Sequence, residues 1–298
     1  VAVTGVQTCA LPIFVVVNVA DRGGAAIAAA LSSKGTTEER ARVVTYAVLA
    51  HGRRGPGDEE TVRPAASTAD AHASLVRGER GAVSLTGLQL SARAIELLPA
   101  ARTLAGPEIR IGLLGAHNAS NALGVALLAA ANGGSGVGIR SALASFEGVG
   151  RRLQVRFDDG RHTVLDDYGH HPTAIRATIE TVRARYPGRD LILAIEPLTY
   201  HRTAALLEPL ASAAALADSV VVADIFPVRD PDLSISSAAA LASAITRHGV
   251  HATAPGNVEA AADSIAAALP ANAVVLVMGG GRSDRKSTRL NSSHGYIS

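Results

Sequence analysis

The chain has 298 residues, with 28 Lys or Arg against 26 Asp or Glu and a single cysteine, Cys9. One cysteine excludes a disulfide framework and a cysteine-ligated zinc site. No apolar run approaches the roughly 20 residues that cross a bilayer as a helix.

The two ends share an unusual relation. Val3 to Ile13 read V-T-G-V-Q-T-C-A-L-P-I, and Asp284 to His294 read D-R-K-S-T-R-L-N-S-S-H. A DNA string that encodes the first encodes the second when reverse-complemented and shifted by one base. Such a pair resembles a sequencing adapter translated at both ends of an insert. Residues 1–13 and 284–298 are therefore set aside from fold reasoning, with a native segment expected over about 14–283. Without Arg285, Lys286, Arg289 and Asp284 the charge counts fall by three and by one, to 25 of each sign. A balanced segment offers no electrostatic case for nucleic acid or an anionic membrane. Because Cys9 lies in the excluded part, no thiolate nucleophile remains, and a cysteine-free segment is compatible with the cytosol.

Short apolar runs alternate with helical patterns, which predicts an α/β protein with mainly parallel sheets flanked by helices. Residues 14–20 and 42–49 read as buried strands around an alanine-rich helix, and 51–63 as a surface loop. The Ser32-Ser33-Lys34-Gly35-Thr36-Thr37 run has the wrong order for a phosphate loop and reads as a helix-to-strand connection. Strands are expected again at 82–90 and 108–114, then helices at 119–131 and 137–146. Gly148-Val149-Gly150 marks the expected boundary between domains at 14–147 and 148–283. Beyond it, 153–157 and 162–165 flank the hairpin turn Asp158-Asp159-Gly160-Arg161. A helix is expected from Thr173 to about Tyr186, and strands at 191–195, 219–224 and 273–278. In open α/β sheets ligands bind past the C-terminal ends of the strands. Chemistry is expected there, with His170, His201 and Arg202 converging.

Three motifs carry that chemistry. Asn118 and Asn121, three apart at a strand-to-helix junction, present amides that suit an adenine edge or cap the helix. Arg151-Arg152 after a glycine-rich turn can hold a phosphate or simply be solvated. Asp166-Asp167-Tyr168-Gly169-His170-His171-Pro172 follows a strand directly, as residues that face a ligand do. Metal ligation by its histidines lacks the usual spacing.

In order, H-N-A-S-N-A-L, F-E-G-V-G-R-R-L and L-D-D-Y-G-H-H-P-T-A-I-R-A-T resemble the Mur ligases of peptidoglycan synthesis, from about Val15 to Gly281. The motifs are most similar to the branch that joins L-alanine to UDP-N-acetylmuramate. The resemblance implies the end of a P-loop-type central ATPase domain followed by a Rossmann-like C-terminal domain. It implies a cytoplasmic bacterial enzyme using ATP and Mg²⁺, with the P-loop lysine and magnesium ligands ahead of Phe14, in which ATP turns the substrate carboxylate into an acyl phosphate that an amine attacks. Asn118, Asn121, Arg152 and Asp167 would then serve the nucleotide. Tyr168, His170, His171, Tyr200 and Arg202 would lie near the amino acid or the acylated product. The family's P-H-R-Y-S-R-T stands here as Pro197-Leu198-Thr199-Tyr200-His201-Arg202-Thr203, so a histidine and an arginine are replaced. That departure leaves open a relative that attaches a preformed peptide. Two other classes remain: a nucleotide-binding module without a P-loop, and a metal-dependent hydrolase using His170, His171 and Asp167.

Overall fold

A computed structural model describes residues 15–34, 43–50, 69–106, 108–228 and 230–281. They form two compact units: one runs to Gly78 and from Ala82 to Glu147, the other takes Glu79–Gly81 and resumes at Gly148. The expected loop at 51–63 lies outside the described residues. So do Gly35, Thr36 and Thr37, whereas Ser32, Ser33 and Lys34 form the last turn of a helix.

In the first unit, strands β1 (Val15–Asn18), β2 (Val43–Ala50), β3 (Ala71–Arg77), β4 (Val83–Leu90) and β5 (Ile109–Ile111) lie in that order. β1, β2 and β3 are parallel, but β3–β4 and β4–β5 are antiparallel, so half of this sheet departs from the parallel expectation. Helix α1 (Arg22–Lys34) covers one face, where Ala28 meets Val17, Val43 and Ala47. After the short α2 (Ala92–Leu97), helix α3 (Ala116–Ala131) covers the other face. Its Ala119, Leu123, Ala126, Leu127 and Ala130 recur at helical spacing against Val44, Ala73, Leu75 and Leu85. Helix α4 (Gly136–Ser145) follows, capped by Ser135, whose hydroxyl accepts from the Gly138 amide.

The second unit is a six-stranded sheet. In chain order its strands are β6 (Gln154–Asp158), β7 (His162–Asp167), β8 (Asp190–Glu196), β9 (Ser219–Ala223), β10 (His251–Gly256) and β11 (Ala273–Gly279). Spatially they run β10-β9-β8-β11-β7-β6. All pairings are parallel except the β6–β7 hairpin. Between β7 and β10 the chain steps steadily toward one edge. The connecting helices α5 (Pro172–Arg185), α7 (Leu207–Ala214) and α8 (Ala238–Arg247), together with the short α6 (Tyr200–Ala205), are therefore confined by right-handed crossover. Residues of α5, α7 and α8, among them Ile175, Ile179, Leu210, Leu241 and Ile245, share one core with Leu165, Leu193 and Leu276. The return from β10 to β11 reverses direction, so its helix α9 (Val258–Ala267) packs on the opposite face against Val164, Ile192 and Val275. β11 fills the slot between β7 and β8, and all seven of its residues are buried.

Arg189, just before β8, ties down the N-terminal ends of β7 and β11. Its guanidinium donates to Thr163 Oγ1 (2.8 Å), to the Ala273 carbonyl (2.7 Å) and to the Arg161 carbonyl, and it lies over the Tyr186 ring. Nearby, the hairpin turn closes on Asp159, which accepts from the Arg161 and His162 amides. The His162 amide is the largest influence on this carboxyl; burial opposes it, while the Arg161 amide and the His162 ring assist. Together they hold the group at about 2.

Two outcomes follow. Arg189→Ala strands three acceptors and should lower the unfolding free energy by about 2–4 kcal/mol in urea titration. For Asp159 the folded value lies below the ordinary one of 3.8. Its contribution is therefore complete above about pH 4 and lost as the pH falls toward 2. Asp159→Asn should flatten that part of the stability–pH profile, measured by denaturant midpoint.

Candidate functional site

In the first unit the candidate residues sit at the start of α3. The helix begins one turn earlier than the sequence pattern suggests, at Ala116, because Gly115 adopts φ 91° and lets the chain turn sharply out of β5. That shift changes both asparagines. Asn118 is half-buried in the first turn, and its Nδ2 donates to the Leu114 carbonyl at 2.7 Å. Asn121 is exposed one turn on, its Nδ2 3.5 Å from Asn118 Oδ1. Neither caps the helix by accepting a backbone N–H, so the capping alternative does not hold.

The helix is anchored beneath them. Ser120 Oγ accepts from Asn18 Nδ2 at 3.0 Å, and Tyr46 from β2 hydrogen-bonds the same serine. Burial pushes the Tyr46 hydroxyl up, and the Ser120 bond offsets part of that. Gly124 admits the phenol: a Cβ there would lie 2.7 Å from Tyr46 Oη.

In the second unit the candidate residues gather at the C-terminal ends of β7, β11 and β8. Asp166 and Asp167 do not follow the strand but end it, paired through to Met278 of β11, and both are buried. Strand alternation sends their side chains to opposite faces. Asp166 Oδ2 receives Arg156 Nη2 at 2.7 Å and Nε at 3.2 Å, with Arg151 Nε 3.5 Å away. Arg156 reaches it because the β6–β7 register slips between Val155 and Phe157, leaving Arg156 as the extra residue of a bulge. Asp167 is committed to the backbone. Its oxygens accept from the Leu153 amide (3.0 Å) and the Gly169 amide (2.7 Å), while Arg152 stays 4.0 Å away.

Tyr168 then emerges 37% exposed. Arg151 lies 5.1 Å and Arg152 5.8 Å from its ring centroid, close enough for cation–π attraction. Arg151 also donates to the Gly279 carbonyl at 2.7 Å, linking the ring to β11. Arg152 is the more exposed, with 54% of its side chain open. The His170 ring packs edge-on to Tyr168 at 5.5 Å, and its Nδ1 meets the Tyr168 carbonyl at 3.0 Å. His171 is the N-cap of α5, its Nδ1 accepting from the Thr173 amide at 3.3 Å. Above β11, a Cβ on Gly280 would lie 3.3 Å from Leu198 and 3.4 Å from Tyr168, and one on Gly281 would lie 2.6 Å from the Glu196 carboxylate. The strand ends therefore approach each other only because these positions carry no side chain.

Tyr200 and Arg202 stand on α6, past the end of β8. The expected meeting of His170 with His201 and Arg202 does not occur by direct contact. Among the described residues no hydrogen bond or ion pair joins them, and His201 instead pairs with Asp230 at 2.9 Å. Nor do the described residues gather three His, Cys, Asp or Glu in a group that could hold a metal ion. Two contributors went unremarked in the sequence pattern: Arg151 as the cation beside Tyr168, and Asp230. No local signal marks Asp230 in a loop of prolines and aspartates. Local geometry also separates the asparagines: Asn118→Ala should cost about 1 kcal/mol of stability through its lost bond to Leu114, and Asn121→Ala under about 0.5, by thermal or urea unfolding.

Comparison with known proteins places this arrangement. Residues 151–281 match the family described as Mur ligase, glutamate ligase domain. The UDP-N-acetylmuramate–L-alanine ligase of Acidithiobacillus ferrooxidans is 38% identical over 174 residues, which are 58% of this chain and 38% of that protein. The protein of that name from Chloroflexus aggregans is 34% identical over 177 residues, 59% of this chain and 37% of its own length. The chain thus spans less than two fifths of these curated relatives. Among solved structures, the UDP-N-acetylmuramate–alanine ligase of Thermotoga maritima aligns with a TM-score of 0.61 at 21% identity, over 88% of this chain and 54% of that one. A pseudomurein peptide ligase of Methanothermus fervidus gives 0.61 at 14%, over 94% and 56%. The two structures show a shared fold. The Mur ligase match itself is confined to residues 151–281.

Proposed function

We propose that this chain forms part of a cytoplasmic, ATP-dependent ligase of peptidoglycan precursor synthesis that joins L-alanine to UDP-N-acetylmuramate. The observation that carries the reading is the family match over 151–281, with two arginines flanking an exposed tyrosine inside it. No helix among the described residues is long and apolar enough to cross a membrane.

The chemistry is the activation of a carboxylate. A carboxylate resists attack by an amine until one of its oxygens becomes part of a phosphate leaving group, and the negative charge gathered at that point must be offset. Mg²⁺, when bound, supplies part of that offset. From this chain, Arg152 is exposed and lightly held, so it is free to meet phosphate oxygens. Arg151 is already engaged by Asp166 and Gly279, so it holds the Tyr168 ring in place. Asp167 fixes the turn that carries Arg152 and Tyr168 rather than meeting a ligand with a free oxygen. Asn118 and Asn121 keep an unused carbonyl or N–H for an adenine edge. Tyr200 and Arg202 serve the incoming amino acid. Arg202 is a half-buried residue whose guanidinium has no hydrogen-bond or ion-pair partner among the described residues, which suits an α-carboxylate.

A second reading has its own observation. Leu198 and Thr199 replace the cationic residues of the family motif, Leu198 packs above Gly280, and Thr199 caps α6. A donor that needs fewer cations at this position, such as a preformed peptide, would be accommodated.

The test joins residues 15–281 behind the N-terminal part of the Acidithiobacillus ferrooxidans relative and follows phosphate release. Release that requires UDP-N-acetylmuramate and L-alanine is expected, and Arg152→Ala should raise the KM for ATP about tenfold. Release with an L-alanyl peptide but not L-alanine selects the second reading. A folded chimera that binds UDP-N-acetylmuramate yet releases no phosphate with any amine donor rejects the ligase.

A further inference from the structure

We propose that Asp230 is a positioning residue for the amine-donor site: from the loop after β9 it clasps the first turn of α6 and so sets the directions of Tyr200 and Arg202. The identity of the donor rests on the ligase reading above; the clasp rests on geometry alone.

Helix α6 has six residues, too few to persist on its own propensity. Its conformation has to be imposed from outside. The residue that leads into it, Thr199, has φ 64°, a region that β-branched residues rarely enter and keep only when the surroundings over-determine them. The loop after β9 supplies that surrounding. The Thr199 amide donates to the Phe226 carbonyl, and the Phe226 amide to the Pro197 carbonyl, each at 2.9 Å. Leu198 and Phe226 thereby form a parallel bridge that prolongs the β8–β9 pairing past the sheet. Val228, also β-branched, has φ 50° and turns the loop back, and the Asp230 amide closes the turn on the Pro227 carbonyl at 2.9 Å.

Asp230 then completes the contact. Its Oδ2 accepts the Tyr200 amide at 2.5 Å and its Oδ1 meets His201 Nδ1 at 2.9 Å, with only 7% of the side chain exposed. Burial opposes the charge on this carboxyl, but the His201 ring and the Tyr200 and His201 amides together outweigh it and hold the group below the usual carboxylate range. Among the described residues, the side chains that would read the donor remain uncommitted: Tyr200 contributes its amide to the clasp, not its hydroxyl, and Arg202 its amide to Thr199 Oγ1. Asp230 therefore orders the ligand-facing groups without competing for them.

The test has two arms. In the full chain, hydrogen–deuterium exchange at the amides of residues 200–203 is compared among the parent, Asp230→Ala and Asp230→Asn. Asp230→Ala should lose about tenfold or more of the protection there, and Asp230→Asn, which keeps an acceptor oxygen, should lose less. In the chimeric ligase, Asp230→Ala should raise the KM for the amino acid about tenfold, leave the KM for ATP unchanged and hold kcat within about twofold. Asp230→Asn should restore part of the loss. Unchanged protection in Asp230→Ala, or an unchanged KM for the amino acid in an active enzyme, overturns the proposal. If Asp230→Ala does not fold, Asp230→Asn decides on both readouts. A parent chimera without turnover rejects the ligase reading while the exchange arm still decides the clasp.

Discussion

Two adjacent carboxylates buried at the end of β7 set the terms for everything around them. An ionised group taken out of water is tolerated only with charge-assisted partners, and Asp166 and Asp167 project to opposite sides of the strand. One face therefore has to deliver cations and the other backbone donors. Arg156 is brought to Asp166 by a bulge in β6, and Arg151 by a turn in which Arg151 and Leu153 both adopt positive φ. Asp167 gathers the amides of Leu153 and Gly169 from either side of itself in sequence. The strained turn before β6 and the loop after β7 are thus held to one another by the Asp167 side chain and by the Tyr168 amide, which donates to the Arg151 carbonyl at 2.8 Å. Tyr168, between them, is aimed outward with an arginine on the ring.

The same logic divides the Arg151-Arg152 pair. In sequence the two residues are equivalent, adjacent and identical. In the fold the first bridges Asp166, Gly279 and Tyr168, while the second stays largely exposed and 4.0 Å from its nearest carboxylate. A cation already bound by a buried anion and a carbonyl has little left to give a ligand, whereas one held loosely can exchange a weak partner for a phosphate.

What the sequence discloses tracks how much signal each residue type carries. The buried strands β8, β9 and β11 are runs of Leu, Ile and Val, and they stand within one or two residues of where their patterns put them. β3 and β10 went unseen because most of their inward positions are alanines or sit beside a proline, so the alternation has little amplitude. The α/β class was legible, but the antiparallel half of the first sheet was not, since strand direction depends on connections rather than on local pattern. At the candidate sites, spacing identified the residues and missed their partners. The spacing of Asn118 and Asn121 suggested a cap, yet the helix begins at Ala116 after Gly115, whose positive φ no hydrophobic period reports. His171 reads as a ligand contact beside His170, and only the geometry shows its ring capping α5.

The loops after β8 and β9 show why a departure from a family motif need not dissolve a site. Leu198 and Thr199 stand where cations are expected, and their loss removes charge from the approach to α6. The frame that presents Tyr200 and Arg202 does not depend on that charge. Thr199 contributes a hydroxyl cap and Leu198 an apolar contact over Gly280, both of which any side chains of suitable size and polarity could provide. The conformation is instead fixed by main-chain bonds to Phe226 and by a buried carboxylate that arrives from the neighbouring loop. In the proposed ligase, charge at positions 198 and 199 would therefore vary with the donor, while the backbone geometry stays fixed from the neighbouring loop.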